Sequence, residues 1–415
     1  MIPRTLIGLM ACTALVAAPA MAERTDLPPA DAVAQALDNA PGVRASVARI
    51  DSAKASSDAL RTGPYEITIS GSTIRRSVTN ERDYTEFDGT ILRQFRLPSK
   101  ARLDRSAGAL GVEVARNNAE DARHQTSLIL SGLWHDWLLT TELYRNDQQA
   151  IINLRTALDA VKRRMALRDA AALDVDQAQS ALALAEAQAT QSRSLVDRAR
   201  VALATDFPQI PLPVEAPAMS PPEMPDQPLT VLRDLVVTRS HEIRAADGEA
   251  QRMAVLARRA RLDRIADPSI GIRLFSERSG LERGAGIVAS MPLGGGHRRA
   301  VADRASAEAN AAAIDLEQVR RAITVIADID LSDARTKFDA WQATHRSADS
   351  AVAAATRTER GYKLGAIDLS DLLYAARQAN DARRAEINAR ADAARALFKL
   401  RIDSHTIWAP ADEND

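Results

Sequence analysis

Two stretches of this sequence run for 69 residues each without a proline, the first from Lys100 to Arg168 and the second from His297 to Gly365. Within the first, Leu103, Ala107, Leu110 and Val114 step by four, three and four; within the second, Ala305, Ala309, Ala312, Leu316, Val319, Ile323 and Ile326 keep the same rhythm. That spacing is the heptad seam of helices packed side by side. At 1.5 Å per residue each stretch makes a helix roughly 100 Å long. Two rods of that length cannot fold into a compact domain, so the chain must build something elongated.

Each rod is preceded by two short alternating runs. Tyr65, Ile67 and Ile69 alternate with polar residues, as do Phe87, Gly89, Ile91 and Phe95, giving strands over about 65–74 and 87–97 with a polar loop at 75–86. Ile270, Ile272 and Leu274, then Ala285, Ile287, Ala289 and Met291, give strands over about 269–275 and 285–291, with a loop at 276–284. Each rod is followed by a turn and a return helix, over 173–206 and 369–405, and each strand pair follows a helical stretch, over 30–62 and from 229 to 266.

These parts form two copies of one unit. Residues 165–178 align with 362–375 at an offset of 197, and Asn39-Ala-Pro-Gly-Val-Arg44 aligns with Arg239-Ser-His-Glu-Ile-Arg244 at an offset of 200. The chain therefore reads as a tandem duplication, 23–207 and 229–408, with the long helices at about 99–168 and 297–364. Residues 208–228 hold eight prolines, a density that excludes a helix or a central strand, and form an extended connector. Residues 409–415 are a polar tail.

The first 22 residues are read as a secretory signal. Arg4 precedes an apolar run that ends in Ala20-Met21-Ala22, a small-x-small cleavage site. Cys12, the sole cysteine, leaves with it. A lipoprotein-type cut at Leu9-Met-Ala-Cys12 would leave an apolar core of only about six residues, too short for a signal. No later run of 18 apolar residues occurs, so any membrane crossing falls to the strands. Four strands cannot close a barrel, and open edges are not tolerated in lipid, so sister chains must share one. Two copies bring eight strands and a filled interior; three bring twelve and leave a hole.

The turn after each rod is the candidate functional element. Gly365 stands where an incoming helix must stop, and Asp368 and Asp371 open the next helix at its positive end. Arg168 occupies the place of Gly365 in the first turn, where a left-handed conformation costs about 1–2 kcal/mol. A wider turn, or Asp169 taking the strained position, is the expected accommodation. Asp371 and Asp174 are first-turn acids favoured by the helix dipole in the plain reading.

At this point the residues resemble a known family. The signal, the two strand pairs, the duplicated halves and the Tyr362-x-x-Gly365-x5-Asp371-x3-Ala375 tip are similar to the TolC-type outer-membrane efflux channels of Gram-negative bacteria. The resemblance spans the whole mature chain, through element order more than through its short, degenerate motifs. It implies a mainly α fold with a membrane β-barrel part: a homotrimer whose twelve-stranded barrel, set in outer-membrane lipid, is continued by a long periplasmic α-helical barrel. It further implies docking, through tip residues Leu364, Gly365, Ala366, Arg168 and Asp169, to a periplasmic adaptor protein and an inner-membrane pump of RND or ABC type. An acidic constriction is implied at Asp371, with Asp174 beside it and Tyr374 at a position acidic in some relatives. A hydrogen bond from Tyr362 to Asp174 is the candidate latch of the closed tip, with helix-end packing as its plain alternative.

Other readings are weaker. The net charge of −1 leaves no basic excess for a nucleic-acid partner. No Ser-His-Asp or paired-carboxylate pattern stands out, six scattered histidines give a metal site little support, and no cofactor or enzyme activity is expected. Trp134-His135-Asp136-Trp137 reads as packing. Gly294-Gly-Gly296 lacks the Lys-Ser/Thr of a phosphate loop. A periplasmic adaptor would have one long hairpin rather than two with paired strands, and a purely structural coiled coil leaves the strands unexplained.

Overall fold

A computed structural model gives the fold and describes residues 26–409. The expected signal peptide with Cys12 and nearly all of the polar tail lie outside the described residues.

The helical stretch at 30–62 is two helices, α1 (Ala30–Asn39) and α2 (Pro41–Thr62). Ala40 between them is extended (φ −60°, ψ 136°), as the residue before a proline prefers to be. The stretch from 229 is likewise broken. Helix α5 (Leu229–Arg239) stops at Ser240, whose side chain accepts from the Ile243 N–H at 3.1 Å and caps α6 (His241–Leu262).

The strands reach further toward their turns than alternation indicates. They are β1 (Ile67–Arg76), β2 (Tyr84–Gln94), β3 (Ser269–Glu277) and β4 (Glu282–Ser290). Charged residues that read as loop pair across the ladder: Arg75 with Asp83 at 2.9 Å, and Arg76 with Glu86 at 2.6 Å. At the other end β2 stops at Gln94 rather than 97, because Arg96 turns away to Asp104 and the Leu97 carbonyl already accepts the first bond of the next helix, from the Ala101 N–H at 3.1 Å. The four strands form one antiparallel sheet in the order β1-β2-β3-β4.

The long helices are α3 (Pro98–Ala166) and α7 (Gly296–Lys363), and the return helices are α4 (Ala172–Asp206) and α8 (Leu369–Asp403). Pro98 starts α3 at the one position where its missing N–H is harmless. Helix α8 ends two residues before the expected 405 because His405 turns left-handed (φ 55°). Helix α3 is flanked by α2 and α6 toward the sheet and by α4 and α8 toward the tips; α7 is flanked by α6 and α8.

A charged junction joins sheet to rods. Lys100, 1% exposed, reaches Asp263 and Asp267 at 3.0 Å each, and Asp104 takes Arg96 at 2.8 Å and Arg259 at 2.6 Å. The Tyr65 hydroxyl donates to Asp267 at 3.0 Å. Each buried carboxylate has a cation, which makes its burial tolerable.

The main core lies midway along the rods. Val33 and Leu37 of α1 meet Leu130, Trp134, Trp137 and Leu138 of α3 and Ala391 of α8. Trp134 and Trp137 pack edge to face, 5.3 Å between centroids. The proline-rich segment is a strap over this core: Ile210, Ala216 and Met219 are buried in it. Its carbonyls accept from α3 and α8, Arg145 donating to Ala216 O at 2.5 Å and Arg390 to Met219 O at 3.0 Å. Among the described residues, no helix is long and apolar enough to cross a membrane.

Candidate functional site at the hairpin tips

Both tips close by the same turn. After α7 the N–H of Gly365 donates to Tyr362 O at 3.0 Å and that of Ala366 to Gly361 O at 2.9 Å. After α3 the N–H of Arg168 donates to Met165 O at 2.9 Å and that of Asp169 to Arg164 O at 2.8 Å. This pair of bonds is the Schellman motif, and it needs a left-handed residue. Gly365 (φ 73°) supplies it in one tip and Arg168 itself (φ 59°) in the other. The first turn is therefore not wider, and Asp169 does not take the strain. Instead the Asp169 carboxylate binds Arg164 Nε at 2.9 Å and braces the turn from outside.

Arg164, which sequence reasoning passed over, ties the tips together. Its guanidinium carbon lies 5.3 Å from the centre of the Tyr362 ring. Hydrogen bonds to Asp169 and then Tyr362 raise its pKa further above its ordinary value. Tyr362 is buried with Leu158 and Val161 of α3, Ala178 of α4 and Leu369 of α8. It does not reach Asp174, whose Oδ2 accepts from the Ala171 N–H at 3.0 Å. The polar partner of Tyr362 is Arg164. The only sequence signal for this was the position of Arg164 one turn before its own tip.

The two acids differ. In the second hairpin Asp368 caps α8, its Oδ1 accepting from the Asp371 N–H at 2.9 Å, and this backbone bond lowers its pKa. The Asp371 carboxylate is thereby left exposed to solvent. In the first hairpin the equivalent of Asp368 is Ala171, which cannot cap, so Asp174 reaches back to do so and is half-buried. Tyr374, one turn beyond Asp371, is 64% exposed, its hydroxyl accepting from Gln378 Nε2 at 2.9 Å. Leu167 and Leu364, equivalent residues at the apices, are 80% and 85% exposed.

Higher up, a second tie joins the hairpins. Asp147 of α3, buried, accepts Arg384 of α8 at 2.6 Å on both oxygens and Ser192 of α4 at 2.5 Å. Asn146 donates to Asn380 at 2.6 Å beside it.

Level with α1 and α5, a buried ionic group holds α3, α7 and α8. Lys399 reaches Asp330 and Asp403 at 2.6 Å each, and Asp403 meets His124 Nε2 at 3.1 Å. Burial, and then the hydrogen bond to Asp403, push Asp330 up to about 7. For Asp403 burial acts upward but loses to His124, Asp330 and Lys399, which hold it well below the carboxylate range. For His124 burial acts downward but loses to Asp403, so its pKa rises.

No family model matches the sequence, and no curated protein matches it either. Solved structures do match. A membrane protein from Pseudomonas aeruginosa is 18% identical, with a TM-score of 0.76 over 90% of this chain and 92% of that one. The outer-membrane channel OprN is 20% identical, with a TM-score of 0.72 over 92% of this chain and 90% of its own. This chain has the fold of the outer-membrane channels. The outer membrane protein VceC from Vibrio cholerae agrees, at 18% identity and a TM-score of 0.71 over 93% of this chain and all of its own. At these identities the likeness is one of fold, and the tip chemistry above is this chain's own.

Proposed function

We propose that the chain is one subunit of a trimeric outer-membrane exit duct, a passive conduit rather than an enzyme. One observation carries the reading: the four-stranded sheet pairs with nothing along β1 or β4 among the described residues, and one of its faces is apolar. Exposed Ile69, Ile272 and Ile287 on that face have no place in water, and the open edges have none in lipid. Three copies of four strands make a twelve-stranded barrel, wide enough to leave a bore. The helices show the same incompleteness. Ile314, Val325 and Ile329 of α7 are 64%, 56% and 53% exposed, a row that neighbouring subunits would cover.

The duplication is part of this reading. The series α2, β1, β2, α3, α4 has 22, 10, 11, 69 and 35 residues; α6, β3, β4, α7, α8 has 22, 9, 9, 68 and 35. A trimer would then offer six near-equivalent tips to a periplasmic adaptor, fed by an inner-membrane pump of RND or ABC type. The exposed apical leucines, with Gly365, Ala366, Arg168 and Asp169 around them, are the docking surface, and both tips dock alike because both turns have one geometry. Asp371 lines the periplasmic mouth as a ring of three, while Asp174 serves its helix. Drugs, metal ions or peptides are the cargo classes such a duct admits.

The test is direct. The mature protein, purified in detergent, is weighed for its oligomeric state and added to planar bilayers. A trimer that conducts supports the reading. A chain that stays soluble and monomeric without detergent and leaves the bilayer silent refutes it and favours a periplasmic adaptor.

A further inference from the structure

The register sorts the strand residues onto two faces. Ile67, Ile69, Ile91, Ile272, Leu274 and Ile287 lie on one. Ser70, Ser72, Thr90, Asp88, Arg273 and Gly286 lie on the other. The apolar face is the open one, with Ile69 74% and Ile287 84% exposed, whereas Asp88, Thr90, Leu92 and Phe275 of the polar face are half-buried. A sheet curved around a bore shelters its inner face, so the polar face is the lumen wall.

On that wall Arg273 is built into place. Its Nε and Nη2 reach Asp88 Oδ2, on the neighbouring strand, at 2.6 and 2.5 Å. Its guanidinium carbon lies 5.7 Å from the centre of the Phe275 ring. The ring rests on Gly284, where a Cβ would come within 2.3 Å of it, so a glycine there makes room for the aromatic. Asp88, Arg273 and Phe275 thus form one layer across β2 and β3, braced from β4. Arg76 compensates Glu86 nearer the turns at 2.6 Å, and Glu277 and Glu282 share the face at the turn itself, where Arg278 meets Glu282 at 3.4 Å. Acids therefore outnumber bases toward the outer end of this wall, and Arg273 is the cation that balances it in mid-strand.

We propose that Arg273 is a selectivity-determining residue of the exit: held on Asp88 and Phe275 in the lumen wall, it neutralises the acidic bore and admits small anions that a bare ring of Asp88 would exclude. The inference rests on the duct reading, since only assembly turns one Arg273 into a ring. A ring of like charges in a narrow bore concentrates counter-ions, and removing one partner of each pair exposes such a ring.

The experiment measures reversal potentials under a potassium chloride gradient in planar bilayers, with the full mature chain carrying Asp371→Asn so that the periplasmic mouth does not set the ratio. Arg273→Gln is expected to raise the potassium-to-chloride permeability ratio by about threefold or more. Asp88→Asn is expected to lower it by a similar factor, and Arg273→Lys, which keeps the charge, to leave it unchanged. The double variant Arg273→Gln/Asp88→Asn should return close to the parent. Channels that conduct with the ratio unmoved by Arg273→Gln, or moved the same way by Asp88→Asn, overturn the inference and leave the duct reading standing. Should Arg273→Gln fail to insert, Asp88→Asn alone decides, an unmoved ratio refuting the proposal. Silence from the parent chain itself overturns the duct reading, and this inference with it.

Discussion

Replacing Asp147 with leucine is expected to be among the most damaging single changes in the helical rods. The carboxylate is almost wholly shielded, its side chain 2% exposed, and Arg384 is held against it with 25% exposure. Leucine fills similar space but leaves the guanidinium without a counter-charge. Breaking a buried pair by removing one partner costs about 3–5 kcal/mol. Arg384 keeps some access to water, so the low end, about 3 kcal/mol per chain, is expected. Ser192 also loses its acceptor, but its hydroxyl can turn to a carbonyl of its own helix, which limits that loss. Large proteins commonly unfold irreversibly in vitro, so the measurable quantity is a rate. If the tie is absent from the unfolding transition state, 3 kcal/mol corresponds to unfolding up to about 150-fold faster at one temperature. The assay follows loss of helical circular dichroism in detergent. The control is Asp147→Leu/Arg384→Met, which removes both charges and should return to within about 1 kcal/mol of the parent. A single variant that unfolds at the parent rate, or a double variant as fast as the single, would refute the reasoning, because either shows that the charge pair is not what holds α8 to α3 and α4.

Three further outcomes follow from the geometry. Gly365→Ala should destabilise the second tip by about 1 kcal/mol from backbone strain alone, since the added Cβ meets open space; Arg168→Gly should be neutral to slightly stabilising, because relief of that strain is offset by about 0.5–1 kcal/mol of chain entropy, and thermal melts compare the two. Arg164→Ala should raise single-channel conductance by freeing Tyr362, while Tyr362→Phe, which keeps the ring under the guanidinium, should change it less; equal, parent-like conductance for both removes the tip tie. Asp330 and His124 hold protons more tightly folded than unfolded, so their stabilisation is complete at low pH and is lost as pH rises, for Asp330 through about 7. Asp403, held low, contributes in the opposite sense, and its share is lost only in strong acid. Unfolding should therefore quicken from about pH 5 to pH 8, and Asp330→Asn should flatten that slope; a slope that Asn leaves intact assigns it elsewhere.

How much of this was legible in the sequence depends on how far apart the interacting residues are. Helix α4 reads correctly from its own spacing: Ala178, Leu182, Ala189 and Ser192 are buried as the three-four rhythm requires. The strand ends were misplaced because Arg75, Arg76 and Glu86 look like loop by composition and become strand, Arg76 pairing with Glu86 across the ladder and Arg75 with Asp83 just beyond its end. The breaks at Ala40 and Ser240 were written locally, as a proline and a capping serine, but the apolar period runs across both and hides them. Arg168 was misjudged because a residue's own preference argued against a conformation that the two hydrogen bonds of its turn impose.

Sequence alone determined the elements: proline-free length and heptad spacing make the rods, alternation makes the strands, and caps end the helices. These are local properties, set by a residue and its neighbours within about two turns. Only the tertiary structure decided which elements touch. It put Arg384 on Asp147, 237 residues away, Tyr362 under Arg164, and the proline-rich segment across the core. It also showed that Asp174 is occupied by its own helix end while Asp371 is open to solvent. Periodicity names the face a helix will bury but carries no information about the partner. The partner is selected by charge and shape that meet only once the chain has folded.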